Sequence, residues 1–102
     1  MGLKKEYSQD KKICKVTFTI QKEIAKNFGK ISLLGDFNNW DPKANIFAET
    51  GADGEYIAVI ELPAGNKYRF RYLADGVHWF NENEADDEEL NDFGSKNSVL
   101  KV

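Results

Sequence analysis

The chain has 102 residues, of which 41% are hydrophobic and 30% are charged, and its formal net charge at pH 7 is −3. A chain of this length forms one domain with a modest core. Its interspersed acidic and basic residues exclude the basic surface that nucleic-acid binding requires, and no apolar run is long enough to span a bilayer. We therefore expect neither a nucleic-acid partner nor a membrane partner.

The amino-terminal segment, MGLKKEYSQDKK, lacks the apolar centre of a secretory signal peptide. Gly2 would suit myristoylation, but Glu6 stands where that motif has Ser or Thr. Cys14 is the only cysteine, so no disulfide can form within the chain and a reducing compartment is the simpler interpretation. These features together predict a cytoplasmic protein.

The first predicted strand, ICKVTFTI (13–20), alternates between apolar and polar residues with a period of two. Its apolar face carries Cys14, Val16, Phe18 and Ile20. This pattern makes Cys14 a small core residue rather than a nucleophile. The next segment, QKEIAKNFGK (21–30), is the one stretch that favours a helical turn, and KISLL (30–34) predicts a short strand.

The second half of the chain predicts further strands. EYIAVIEL (55–62) is almost continuously apolar, which indicates a strand covered on both faces or nearly so. KYRFRYL (67–73) alternates aromatic and basic residues, which indicates a half-exposed strand. VHWF (77–80) and NSVLKV (97–102) complete the set, and NIFAE (45–49) adds a short edge strand.

Glycine and asparagine mark the turns between these strands. GADG, PAGN and ADGV each place such residues where a positive φ is needed, and Asp75 followed by Gly76 is a signal for a two-residue hairpin. Six to eight short strands separated by such turns predict an all-β fold, an antiparallel immunoglobulin-like β-sandwich.

The acidic run NENEADDEELND (81–92) is too charged to belong to the core. It also lacks the fixed ligand spacing and the turn glycine of a calcium loop. We interpret it as a solvated, mobile loop. No metal site and no other cofactor is expected.

Four landmarks follow one another along the chain: LLGDFNNWDP (33–42), GEYIAVIELPAGNKYRFRYLADGVHWF (54–80), EAD (84–86) and NDFGSKNSVLKV (91–102). In this order they resemble carbohydrate-binding module family 48. That family is the early-set domain of isoamylases, of glycogen-branching enzymes and of the β subunit of AMP-activated protein kinase. The resemblance implies a single domain over residues 1–102, with its core at about 12–102. Within the family, the chain looks most similar to small bacterial proteins that consist of this domain alone.

In family members that bind glycogen, two tryptophans, a basic residue and an asparagine form the α-glucan site. The resemblance places the tryptophans at Trp40 and Trp79 and the basic residue at Arg71. Two residues separate Trp79 from Gly76, where the glycogen-binding members have one. Ahead of the last strand, the implied contact residues are Phe93 in place of a leucine, Ser95 in place of a threonine, and Asn97.

Each of these residues also has a purely structural interpretation. Trp40 could plug the end of the sandwich, although the Asn-Asn before it and the Asp-Pro after it favour an exposed position at the surface. The alternation of residues does not decide which face of the sheet carries Trp79. Arg71 could pair with a neighbouring carboxylate. For Phe93 a place in the core is favoured, and Asn97 could cap the turn into the last strand.

The resemblance implies a non-catalytic module that binds an α-1,4-linked glucan such as glycogen, starch or a maltooligosaccharide. A glycogen-metabolising enzyme acting in trans is a further expected partner. The alternative is an early-set domain without sugar binding that acts as a protein-interaction or regulatory module. Such domains also precede the catalytic barrel of glycoside hydrolase family 13, but a retaining glycosidase needs two carboxylates about 5 Å apart beside a cleft. No pair in this sequence can be assigned to a cleft, so we predict no enzymatic activity.

Overall fold

Two antiparallel sheets pack face to face in the computed structural model, which describes residues 2–50 and 53–102. The first sheet has the strand order β1-β2-β5-β4, and the second has the order β3-β6-β9-β8 with β7 paired to β6. The elements are β1 (Gly2–Tyr7), β2 (Ile13–Ile20), α1 (Lys22–Ala25), β3 (Ile31–Gly35), a 3-10 turn (Asp36–Asn38), β4 (Ala48–Thr50), β5 (Glu55–Pro63), β6 (Lys67–Ala74), β7 (His78–Phe80), β8 (Asp87–Leu90) and β9 (Lys96–Lys101). The two packed sheets confirm the predicted β-sandwich. The strand orders β1-β2-β5-β4 and β3-β6-β9 are those of the immunoglobulin fold, so the sandwich is immunoglobulin-like.

The core lies between the two sheets and follows the alternation seen in the sequence. The four residues on the apolar face of β2, Cys14, Val16, Phe18 and Ile20, are fully buried, which confirms Cys14 as a core residue. Phe18 meets Phe70 of β6 edge-to-face, with 5.4 Å between the ring centroids. Such aromatic pairs add about 0.5–1.5 kcal/mol beyond the area they bury. Because Phe70 and Tyr72 face the core, the alternating basic residues of β6 lie on the outer face of the second sheet.

The strand β1 was not predicted, so the strand containing Cys14 is the second of the chain and not the first. In β1, Leu3 lies opposite Phe18, and Lys5 lies on the same face as Leu3. The charge of Lys5 hides the apolar alternation in the sequence. Its Nζ reaches Asp86 Oδ2 at 2.7 Å and so joins β1 to the segment before β8. With β8 included, the described residues form nine strands rather than six to eight.

The interpretation of the acidic run as a solvated, mobile loop is wrong. Glu82 is only 2% exposed, and the hydroxyl of buried Tyr72 donates a hydrogen bond of 2.7 Å to its Oε1. Burial, together with the carboxylate of Glu82, raises the pKa of the Tyr72 phenol and keeps that hydroxyl a donor. Residues of β8 pair with β9, and basic side chains compensate their charge in the ion pairs Lys67–Glu89, Lys96–Glu88 and Lys101–Asp87.

The expectation that 55–62 is covered on both faces is also wrong, because Val59 in the middle of β5 is 47% exposed. A run of β-branched residues here reflects strand propensity as well as burial. The short edge strand expected at 45–49 is displaced to Ala48–Thr50, and Ile46 forms an isolated bridge with Ser32.

Several local predictions are confirmed. The helical turn expected in 21–30 is α1, and the expected strands within 30–34, 67–73 and 77–80 are β3, β6 and β7. A hairpin forms at Asp75 (φ 52°) and Gly76 (φ 74°) as expected, and both residues are left-handed. Its loop has three residues rather than two, because Ala74 pairs with His78. The GADG turn lies partly outside the described residues. Among the described residues, no helix has the length and apolar character needed to cross a bilayer.

Candidate functional site

A groove of about 670 Å³ lies on the outer face of the second sheet. Its lining residues come from the loop after β3, from β6, β7 and β9, and from the end of β8 and the loop that follows. They are Trp40, Arg69, Arg71, Trp79, Leu90, Asn91, Asp92, Phe93, Ser95 and Asn97. The structure therefore brings all six residues implied by the resemblance into one groove.

Trp79 and Arg71 form one wall of the groove. Trp79 lies opposite Leu73 in the β6–β7 pairing, so it shares the outer face with Leu73 and Arg71. The indole is 46% exposed, which settles the face that alternation left open. The guanidinium carbon of Arg71 lies 5.4 Å from the centroid of the Trp79 ring, within cation–π range.

Arg71 has a donor that the protein does not use. Among the described residues it forms no ion pair with a carboxylate, and its buried Nε has no hydrogen-bond partner. The alternative in which Arg71 pairs with a carboxylate is therefore wrong. An unpaired buried donor costs about 1–3 kcal/mol.

A buried polar network holds β7, and hence Trp79, in place. The carboxylate of Glu82 accepts from the Tyr72 hydroxyl through Oε1 and from the main-chain N–H of Glu84 through Oε2, at 2.7 and 2.9 Å. The N–H of Glu82 donates to Ser98 Oγ on β9, and the Ser98 hydroxyl donates to Asn81 Oδ1. The segment that follows β7 is thus fixed to β6 and β9.

Trp40 belongs to a tightly closed loop. Phe37 turns inward toward Phe18, with 6.4 Å between the ring centroids, and so anchors the loop against the core. Asn38 closes the loop by accepting from the N–H of Gly35 and donating to a main-chain carbonyl of β3. Gly35 is required here, since a Cβ would lie 2.6 Å from the main-chain oxygen of Arg69.

The backbone of Trp40 itself is left-handed, with φ 57°, as is that of Asn39 before it. Asparagine tolerates this region, whereas a bulky residue there is an outlier that costs on the order of 1–3 kcal/mol. Trp40 is half-buried and lies outside the central core cluster. It is therefore not a plug of that core, and its strained backbone directs the indole to the groove.

The indole of Trp40 is tied to Asp36. Trp40 Nε1 donates to Asp36 Oδ1 at 3.1 Å, and Asp36 Oδ2 accepts from the main-chain N–H and the Nε of Arg69 at 2.9 and 3.0 Å. Partial burial opposes ionisation of Asp36, but the bonds from Arg69 and from the indole outweigh it and hold the pKa of this carboxyl below its ordinary value. The ionised carboxylate of Asp36 thus joins the Trp40 loop to β6 by hydrogen bonds.

The opposite wall is a loop organised by Asn91. Asn91 Oδ1 accepts from the main-chain N–H groups of Phe93 and Ser95, at 2.9 and 3.1 Å, and its Nδ2 donates to Asn97 Oδ1 at 3.3 Å. This turn leaves Phe93 93% exposed at its tip, so the favoured place of Phe93 in the core is wrong. Asn97 both supports the turn and lines the groove.

The resemblance did not supply Arg69, Leu90, Asn91 and Asp92, which also line the groove. Alternation with Arg71 along β6 was a usable signal for Arg69. The other three lie in the acidic run that was assigned to solvent. Asp92 is the only carboxylate among the described residues of the lining, and no group of three His, Cys, Asp or Glu residues suited to a metal occurs within 2–50 and 53–102.

No family model matches the chain, and no curated protein matches it.

Proposed function

We propose that this protein is a non-catalytic α-glucan-binding module that uses the groove on the outer face of the second sheet. The observation that carries the proposal is the presence of Trp40 and Trp79 in one groove, together with the guanidinium of Arg71 beside the Trp79 ring. The sequence resemblance to carbohydrate-binding module family 48 supports the same ligand class, and the six residues that it implied are the ones that meet in the groove.

The chemistry of a glucan suits this lining. A pyranose presents an apolar face of C–H groups and a rim of hydroxyls, so an indole covers the first while amide, hydroxyl and guanidinium groups meet the second. Trp40 and Trp79 supply the apolar surface, and Arg71, Ser95 and Asn97 supply the polar groups. The exposed ring of Phe93 adds apolar surface at the edge of the groove.

The expected affinity is weak. Covering one indole face removes on the order of 100 Å² from water, which is roughly 2.5 kcal/mol at about 25 cal/mol per Å². Two indoles give about 5 kcal/mol before the cost of ordering a flexible oligosaccharide. A Kd between roughly tens of micromolar and millimolar follows. Repeated sites along a glucan polymer raise the effective affinity by multivalency.

The proposal includes the absence of catalysis. A retaining glycosidase needs two carboxylates about 5 Å apart, and an inverting one needs two at about 6.5–9.5 Å. Asp92 is the single carboxylate in the described lining. We propose that the module acts in the cytoplasm and concentrates a glycogen-metabolising enzyme, supplied in trans, on its polymer.

A second candidate function is protein interaction through the same edge of the sandwich. The observation that favours it is the exposure of two large apolar side chains on adjacent parts of the β8–β9 connection, Leu90 at 75% and Phe93 at 93%. Exposed apolar surface of this kind marks partner or ligand sites. The polar groups and the two indoles of the groove favour the glucan.

Co-sedimentation with glycogen tests the proposal. We expect the purified protein to enter the glycogen pellet, to be released by excess maltoheptaose, and to remain in the supernatant when cellulose replaces glycogen. We also expect no reducing sugar to appear during the incubation. Folded protein that stays in the supernatant with glycogen would favour the interaction function. Sugar release that disappears in an Asp92→Asn variant would show that the protein is an enzyme.

A further inference from the structure

The indole N–H of Trp40 already donates a hydrogen bond within the protein. It donates to Asp36 Oδ1 at 3.1 Å, so it is not free to donate to a ligand in the same geometry. An indole nitrogen has a single hydrogen to donate. Trp40 therefore offers a ligand its ring face rather than a polar contact, and the orientation of that face depends on Asp36.

Asp36 is itself held firmly. Its other oxygen accepts from the main-chain N–H of Arg69 at 2.9 Å and from the Arg69 Nε at 3.0 Å. The first of these bonds is to the backbone of β6, the strand that also carries Arg71. Asp36 thus links the indole of Trp40 to the strand on which the opposite indole, Trp79, is supported.

We propose that Asp36 is a positioning residue, which fixes the Trp40 indole in its ligand-ready orientation before a glucan arrives. This inference rests on the function proposed above. The left-handed backbone of Trp40 sets the starting direction of the side chain, and the hydrogen bond to Asp36 restrains the rotation that remains. Both restraints are present in the free protein.

The benefit of such a restraint is entropic. Immobilising a free side chain on binding costs about 0.5–1.5 kcal/mol, and the free protein has already restrained this indole. Without Asp36, the entropic cost of immobilising the Trp40 indole would reduce the free energy of glucan binding. The expected consequence of removing the carboxylate is a glucan affinity reduced by about two- to tenfold.

Asp86 provides a matched control. It has the same kinds of partner as Asp36, since its carboxylate accepts from the main-chain N–H of Lys101 and from the Nζ of Lys5. Its side chain is also exposed to the same extent, 28%. It has no indole partner and does not line the groove. Replacing it removes a comparable ion pair while leaving Trp40 untouched.

The experiment measures maltoheptaose binding by calorimetry for wild type, Asp36→Ala and Asp86→Ala, and for Asp36→Ala placed in a Trp40→Phe background. We expect Asp36→Ala to weaken binding two- to tenfold and Asp86→Ala to leave it unchanged. In the Trp40→Phe background, which has a ring but no N–H, removing Asp36 should weaken binding no further. Wild-type affinity in Asp36→Ala, or an equal loss in both backgrounds, would overturn the inference.

A second measurement follows the motion of the indole in the free, nitrogen-15-labelled protein. The Nε1–H group of Trp40 should be as rigid as the backbone on the picosecond-to-nanosecond timescale in wild type, and equally rigid in Asp86→Ala. A Trp40 indole that is mobile in free wild type would overturn the inference. Failure of wild type to bind maltoheptaose would instead contradict the proposed function, so the two failures are distinguishable.

Discussion

Replacing Trp40 by alanine is expected to weaken maltoheptaose binding by about 1–3 kcal/mol, roughly five- to hundredfold, by analogy with aromatic stacking on nucleic-acid bases. The indole lines the groove, and its N–H is satisfied by Asp36, so the loss should come from the ring face alone. Isothermal titration calorimetry with maltoheptaose measures the change. A variant that binds as well as wild type would show that Trp40 is not part of the site.

The same variant should remain folded, because Trp40 lies outside the central core cluster. We expect its free energy of unfolding to fall by no more than about 1 kcal/mol, the usual net value of one hydrogen bond. Trp40→Gly is the matched control, since glycine adopts φ 57° without strain. It should be more stable than Trp40→Ala by about 1 kcal/mol while binding equally weakly. A thermal melt in which Trp40→Ala is unfolded would restore the role of Trp40 as a structural plug.

Replacing Glu82 by alanine is expected to produce the largest loss of stability, about 2–3 kcal/mol. The change leaves the hydroxyl of buried Tyr72 and the main-chain N–H of Glu84 without their acceptor. For a domain of this size that loss corresponds to a fall in Tm of roughly 10–20 °C. Differential scanning calorimetry measures it, with the heating rate varied to confirm reversibility.

Glu84→Ala is the matched control for that change, because the Glu84 side chain is exposed and its main-chain N–H still donates to Glu82. We expect its Tm to lie within a few degrees of wild type, as is usual for surface substitutions. A Glu82→Ala variant that melts at the wild-type temperature would mean that the carboxylate is not buried against Tyr72.

Strands whose one face is buried were predictable from sequence, because burial on one side imposes alternation. In β2 and β6 the apolar residues recur at every second position and face the core, as Cys14 and Phe70 do. Alternation failed where charge is neutralised by partners distant in sequence. Lys5 faces inward in β1 only because Asp86 lies beside it, and the charges of β8 are matched by basic residues on β6 and β9.

Part of the candidate site was also predictable from the sequence, but from a resemblance of motifs rather than from alternation. The six implied residues came from a resemblance of motifs, and their meeting in one groove depends on pairings between distant segments, such as that of Leu34 with Arg71, which no local pattern contains. The roles of Asp36 and Asn91 depend on side-chain hydrogen bonds across loops. Such bonds leave no periodic signal, so Asp36 and Asn91 were missed while six residues that line the groove were found.

A titration of the nitrogen-15-labelled protein with maltoheptaose, followed by two-dimensional NMR, tests directly whether the groove binds an α-glucan. We expect the indole signals of Trp40 and Trp79 to shift together with the main-chain signals of the loop that carries Phe93, and cellohexaose to produce no comparable shifts. Unchanged indole signals at saturating maltoheptaose would contradict glucan binding in the groove. So would shifts confined to the outer face of the first sheet, around Val59.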